Sequence, residues 1–276
     1  MRKIKYPLIV SDFDGTLVKN DGTIDEYTKQ TILQYIQDGG RFAISTGRMP
    51  SGILSRAKEL GLKGLVCCCQ GAVIADIETE EILFEGRLHL EAAIKVAKKL
   101  EEMDLHTQFY DLWEYYANKN NEVLKIYEKI VGSKAIVIED MPITEFLQKK
   151  QLHPFKFLML VDPKDNEKIM KELEGENFEG CSITRSSEFM VEVCNANYSK
   201  GTAVARLAKE YGIPLEKTIA VGDQLNDLPM LETAGLGVAV KNAEKALQEK
   251  TYVYEYSNDE DAVAKLIKEY GYTGEK

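Results

Sequence analysis

Short unbroken apolar runs alternate with helix-period stretches toward both ends of this chain. The first run, residues 7–10, stops at Asp12. Such runs suit strands buried on both faces of a parallel sheet. A turn-rich stretch from Gly15 to Gly22 follows. Asp25 then stands where it can cap a helix that carries Ile32, Leu33 and Ile36 on one side and closes at Gly39 and Gly40. Residues 41–45 read as a second strand ending at Thr46. Pro50 opens a helix reaching about Leu60, residues 65–69 form a third strand, and short strands near 72–75 and 82–84 form a hairpin. The C-terminal part repeats the alternation. Lys200 opens a helix to about Tyr211, residues 218–221 form a strand ending at Gly222 and Asp223, and residues 228–234 are helical. A strand at 236–240 and helices near 243–248 and 259–270 complete it. This spacing predicts an α/β fold, a doubly wound parallel sheet.

The middle has a different rhythm. Residues 91–103 form an amphipathic helix, and 106–110 with 113–117 form a hairpin rich in aromatics. Residues 155–161 are a strong strand, 163–173 a helix, and 182–185 with 189–193 two further strands. The pattern predicts a second, α+β domain at 85–187, inserted into a first domain made of 1–84 and 188–276. Trp113 and the tyrosines around it could face a substrate, but are read as core or as an interface of the inserted domain.

Composition changes this picture little. The 276 residues suggest about two domains. A net charge of −10 gives no general attraction to nucleic acid or anionic membrane, so any phosphate chemistry needs locally placed positive charge. The N-terminal apolar run is too short for a signal-peptide core, and no stretch is long enough to span a membrane. There are five cysteines, three of them consecutive at 67–69. Neighbouring strand residues point to opposite faces, so these three can neither staple one another nor converge on a metal. An odd count in an apolar context fits a reducing compartment, and the expected location is the cytoplasm. His89, His106 and His153 are scattered and suggest no role.

Four places carry candidate chemistry. In open α/β sheets ligands bind beyond the carboxyl ends of the strands. Asp12 and Asp14 stand two residues apart at such an end, so one can act as a nucleophile while the other keeps a proton as general acid. A polar turn after a strand would read the same way, and the motif alone does not choose. In Ser45-Thr46-Gly47-Arg48 a hydroxyl can donate to a phosphate oxygen and Arg48 can pair with another anionic part of a substrate. Lys200 lies at a helix start, where its ammonium adds to the positive dipole end; a solvated surface lysine would look the same. In Gly222-Asp223-Gln224-Leu225-Asn226-Asp227, carboxylates supply the hard oxygens that magnesium prefers and Asn226 can donate to phosphate, though a helix cap would also suit. All four bland readings must hold together for the chain to lack chemistry.

With DFDGTL at 12–17, STGR at 45–48, Lys200 in YSKG and GDQLND at 222–227, the sequence resembles the haloacid dehalogenase superfamily of phosphohydrolases. The insert between the second and third motifs resembles the α/β cap of its Cof-type branch. The resemblance implies a Rossmann-like core, a magnesium ion, and Asp12 as nucleophile and metal ligand. Asp14 is then the general acid and base, with its backbone carbonyl on the metal. Thr46 and Lys200 hold phosphoryl oxygens, Asp223 ligates magnesium, Asp227 supports the metal shell and Asn226 faces the phosphate. Arg48 would contact the rest of the substrate. Gln70-Gly71-Ala72 occupies the place where the branch usually has Asn-Gly-Ala, which leaves the contact made by that asparagine open.

The expected activity is magnesium-dependent hydrolysis of small phosphate monoesters, sugar or cofactor phosphates, through an aspartyl phosphate. The expected partner is a small phosphorylated metabolite, with no nucleic acid or membrane, for a monomer or small homo-oligomer. Alternatives are a phosphomutase of the phosphomannomutase type, a dedicated sucrose- or mannosyl-type sugar phosphatase, and a non-catalytic phosphoacceptor module. The inserted domain argues against the last, since a receiver is a single compact domain.

Overall fold

The structure, a computed structural model, describes residues 2–274. From the N-terminus run β1 (Leu8–Ser11), α1 (Glu26–Gln37), β2 (Arg41–Ile44), α2 (Pro50–Glu59), β3 (Leu65–Cys68), β4 (Val73–Asp76) and β5 (Ile82–Glu85). The middle contains α3 (Leu90–Glu102), β6 (Thr107–Tyr110), β7 (Tyr115–Ala117), α4 (Glu122–Val131), β8 (Ile136–Val137), α5 (Ile143–Lys150), β9 (Lys156–Leu160), α6 (Pro163–Gly175), β10 (Cys181–Ser187) and β11 (Met190–Asn195). The last part holds α7 (Lys200–Glu210), β12 (Thr218–Gly222), α8 (Leu228–Thr233), β13 (Leu236–Ala239), α9 (Lys245–Gln248), β14 (Tyr252–Val253) and α10 (Ala262–Tyr270).

The chain divides into two compact units. One comprises the N-terminal segment through Gly47, Leu54–Leu83 and the chain from Ser199 onward. Its parallel sheet has the order β14-β13-β12-β1-β2. β1 is an interior strand, with Leu8 opposite Thr218 on one side and Arg41 on the other. Leu8, Ile9 and Val10 are fully buried, which is why the run is unbroken: both of its faces are covered. A parallel bridge from Ser45 to Cys67 brings β3 beside β2, and β3-β4-β5 follow as a three-stranded sheet. The expected doubly wound α/β core is therefore present. Asp25 does precede α1, but its side chain makes no cap bond; Lys19 takes its carboxylate instead. The buried face of α1 is Thr28, Thr31, Ile32 and Tyr35, while Leu33 and Ile36 are half-buried. Cys67, Cys68 and Cys69 are buried core residues, and none of the three is in a disulfide.

The second unit comprises Arg48–Ile53 and Phe84–Tyr198. Its six-stranded sheet has the order β10-β11-β9-β6-β7-β8. One face packs Phe109, Phe157, Met159, Val191 and Val193 against Ala93, Val96, Ala97, Phe146 and Leu147 of α3 and α5. The other carries Tyr110, Tyr115 and Leu158 against Leu124 and Tyr127 of α4. β11 pairs with both β9 and β10, so the chain stays with this unit through Tyr198, past the boundary at 187 read from the sequence. Phe84 and Tyr198, at its two ends, meet edge to face with ring centroids 5.2 Å apart. The hydrophobic pattern between 118 and 154 does not predict α4, β8 or α5, which the structure adds. Trp113 is not core: it is 47% exposed, while Tyr110, Tyr115 and Tyr116 are buried.

Candidate active site

The site is built at the carboxyl ends of β1 and β12. The Asp12 amide continues the ladder by donating to the Val221 carbonyl at 2.9 Å. Gly15 turns the chain with φ of 79°, and a Cβ there would lie 2.5 Å from an Asp223 carboxylate oxygen. Only glycine meets both demands. The turn delivers the Thr16 hydroxyl, which donates to Asp223 Oδ1 at 2.6 Å and ties the first motif to the last.

Lys200 begins α7, and Ser199 caps that helix in a reciprocal box with Thr202. The cap fixes the helix start and so the place from which the lysine side chain departs. Lys200 is 1% exposed. Its Nζ donates to Asp12 Oδ1 and to Asp227 Oδ1, each at 2.6 Å. That uses two of its three hydrogens. The other oxygen of Asp227 accepts from the backbone amides of Asp223 and Gln224 at 2.8 and 3.0 Å, closing the acidic loop.

Carboxylate oxygens of Asp12, Asp223 and Asp227 lie within 4.8 Å of one another, all buried. Burial raises the pKa of Asp12 well above the usual carboxylate value; Asp227 adds to the rise, and Lys200 offsets only part of it. Burial and then Asp227 push Asp223 up to about 6. Burial also opposes the charge on Lys200, but Asp12 and Asp227 outweigh it and hold its proton. Three buried carboxylates thus face one ammonium. A clustered set of hard oxygens with surplus negative charge fits a divalent cation.

The remaining candidates divide. Thr46 is 1% exposed, its amide donating to the Cys67 carbonyl at 2.9 Å. Asn226 Nδ2 donates to Gln70 Oε1 at 3.0 Å. Asp14 is exposed and its carboxylate is not part of the acidic cluster. Arg48 belongs to the second unit, where its charge acts on the Tyr127 phenol. Sequence reasoning passed over Thr16, although a hydroxyl four residues after Asp12 and just beyond a glycine turn was a usable signal. It also had no task for Gln70.

The chain from residue 9 to 267 matches the family model for haloacid dehalogenase-like hydrolases. It is 30% identical to phosphatase YwpJ of Bacillus subtilis, over 95% of this chain and 98% of that one. It is 27% identical to the 5-amino-6-(5-phospho-D-ribitylamino)uracil phosphatase YitU of the same organism, over 95% and 97%. A solved haloacid dehalogenase-like hydrolase from B. subtilis superposes with a TM-score of 0.85 at 28% identity, covering 95% of this chain and 99% of that one. Among the described residues no helix is long and apolar enough to cross a membrane. This chain belongs to the haloacid dehalogenase-like hydrolases, and within them it is a phosphatase.

Proposed function

We propose that this phosphatase hydrolyses small phosphate monoesters, sugar or cofactor phosphates, with a magnesium ion and an aspartyl phosphate on Asp12. The observation that carries the reading is the charge imbalance: three buried carboxylates against one lysine. Such a site favours a cation, and a cation favours the dianionic ester. Asp12 and Asp223, with the Asp14 carbonyl and with Asp227 behind, would hold the ion, which offsets charge on the phosphoryl oxygens.

Lys200 engages Asp12 Oδ1, leaving Oδ2 as the attacking oxygen. Oδ2 forms the new bond to phosphorus while the bond to the alcohol oxygen breaks. Asp14 gives that oxygen its proton. The third hydrogen of Lys200, the Thr46 hydroxyl and the Asn226 amide stabilise the phosphoryl oxygens. Asp14 then takes a proton from water, whose oxygen attacks phosphorus and frees Asp12. The exposed position of Asp14 suits a group that exchanges protons with alcohol and water.

The second unit is assigned the role of substrate-recognising cap, with Arg48 contacting the leaving group. YitU, named for a phosphoribitylamino substrate, supports small soluble esters. An odd number of cysteines, four of them buried, supports a cytoplasmic setting.

The test is turnover of p-nitrophenyl phosphate and a panel of hexose, pentose and cofactor phosphates, with and without chelator. Activity should vanish on chelation and return with magnesium, and calcium should inhibit. Magnesium should also raise the melting temperature, since it binds the folded chain. Undiminished turnover after exhaustive chelation removes the metal from the mechanism.

A further inference from the structure

Gln70 has no task in the reaction as described, yet the chain holds it in strain. Cys69, Gln70 and Gly71 are three consecutive residues with positive φ, at 50°, 59° and 100°. Glycine accepts this freely. A side-chain-bearing residue there costs about 1–3 kcal/mol, and glutamine lacks the short side chain that lets asparagine tolerate it. The turn is nonetheless buried, with Gln70 only 4% exposed.

What the strain secures can be read from its contacts, which reach three of the four motifs. The Gln70 amide donates to the Thr46 carbonyl at 3.1 Å. A Cβ on Gly71 would lie 2.1 Å from the Ser199 carbonyl oxygen, so this turn rests backbone to backbone on the cap that starts the Lys200 helix. The Gln70 side chain lies over Gly47, with Nε2 2.6 Å from where a Cβ would stand, and its Oε1 accepts from Asn226 Nδ2 at 3.0 Å. Asn226 Oδ1 is buried without a hydrogen-bond partner.

A carboxamide can turn about its last bond and exchange oxygen for nitrogen. With the Gln70 oxygen opposite it, Asn226 turns its nitrogen toward Gln70, and reversing the bond requires both carboxamides to turn together. The other Nδ2 hydrogen and Oδ1 are then presented in fixed positions. We propose that Gln70 is a positioning residue, which locks the Asn226 carboxamide and the Thr46 backbone in register for the phosphoryl group. The inference rests on the phosphate-binding roles proposed above for those two residues.

A double-mutant cycle tests it, with Gln70→Leu, Asn226→Ala and the pair. Gln70→Leu should lower kcat/KM roughly tenfold to a hundredfold, as misplacement of a binding group does. It should also weaken competitive inhibition by inorganic phosphate. The double variant should be no worse than Asn226→Ala alone, because the Gln70 side chain acts through Asn226 while its backbone bond to Thr46 survives the substitution. Gln70→Asn relieves the backbone but is one methylene shorter. It should keep or raise the melting temperature while matching Gln70→Leu in kcat/KM, a split that a merely structural role would not produce. It also keeps the test open if the leucine variant does not fold. By 15N NMR, the Asn226 side-chain amide should exchange slowly in the parent and fast in both Gln70 variants. Multiplicative losses in the cycle, or unchanged kcat/KM or amide exchange in Gln70→Asn, overturn the proposal. If the parent hydrolyses no ester, the reaction proposed above fails while amide exchange still decides the lock.

Discussion

Both units bury charge, but they balance it differently. In the second unit Lys156 and Glu192 meet at 2.9 Å, 2% and 1% exposed, and Ser186 donates to the second oxygen of Glu192. There a buried lysine stands against a buried carboxylate. In the first unit three buried carboxylates share one lysine. A matched buried pair is a solution to folding, neutral or somewhat costly compared with apolar packing. An unmatched cluster lowers stability unless something else arrives. The surplus therefore marks where chemistry is expected, more sharply than burial of charge does.

The largest test removes part of the surplus. Asp12→Asn should lower kcat by about 10⁴-fold or more. The same change should leave the metal-free protein at least as stable, since it relieves repulsion from Asp227 and Asp223. A folded variant with parental kcat ends the nucleophile assignment. A clear fall in melting temperature would mean that the surplus is not a strain.

Asp14 lies outside the cluster, so its loss should separate proton transfer from charge balance. Asp14→Asn should nearly abolish cleavage of sugar phosphates, whose alkoxides need a proton to leave. With p-nitrophenyl phosphate it should give a burst of nitrophenolate near one equivalent per site, then a slow steady rate. Equal slowing of both substrates with no burst would make Asp14 structural.

The matched pair should behave in the opposite way. Lys156→Met removes the ammonium beside the buried Glu192 carboxylate and should cost about 3–5 kcal/mol, measured by urea unfolding. Adding Glu192→Leu should restore most of it. If Lys156→Met instead removed turnover at unchanged stability, the pair would be functional and the contrast between the units would fail.

A smaller effect lies at His106. Burial, then Lys119, lowers its pKa to about 4, and neither ring nitrogen has a hydrogen-bond partner. The unfolded side chain titrates near 6.5, so between about 6.5 and 4 the unfolded state binds more protons. Stability should therefore fall as pH drops through that window, by up to about 3 kcal/mol. His106→Phe should flatten this dependence relative to the parent; parallel curves would show that His106 is not its source. The smallest effect belongs to Arg48→Ala. It should raise KM for sugar phosphates severalfold and leave p-nitrophenyl phosphate nearly unchanged. Equal loss on both would place Arg48 on the transferred phosphoryl group.

The core was legible because three of its strands are short apolar runs with a candidate site residue just past the end: Val10 before Asp12, Ile44 before Thr46, Val221 before Asp223. Parallel strands covered on both faces leave that signature. The second unit was less legible because its antiparallel strands mix aromatics and polar groups, and because α4 turns Val123, Ile126 and Ile130 outward, 45–62% exposed. That outward stripe blurs the helical period, and α4 and α5 went unread although Asn121 caps α4 through its side chain. The link from Thr16 to Asp223 and the turn at Gln70 depend on residues far apart in sequence, which local pattern cannot bring together.

The hydrogen bond from Thr16 to Asp223 joins residues 207 apart along the chain. For an open coil, closing so long a loop is an entropic obstacle to folding, although each doubling of length adds only about 0.6 kcal/mol. The contact between Phe84 and Tyr198 removes most of that length. Once the inserted unit has folded, its two ends are held within one ring contact, and over a hundred residues collapse into a single step of the path. The search that unites β1 with β12 is then hardly longer than it would be without the insert. The expected folding order is then the inserted unit first and the sheet around β1 and β12 last.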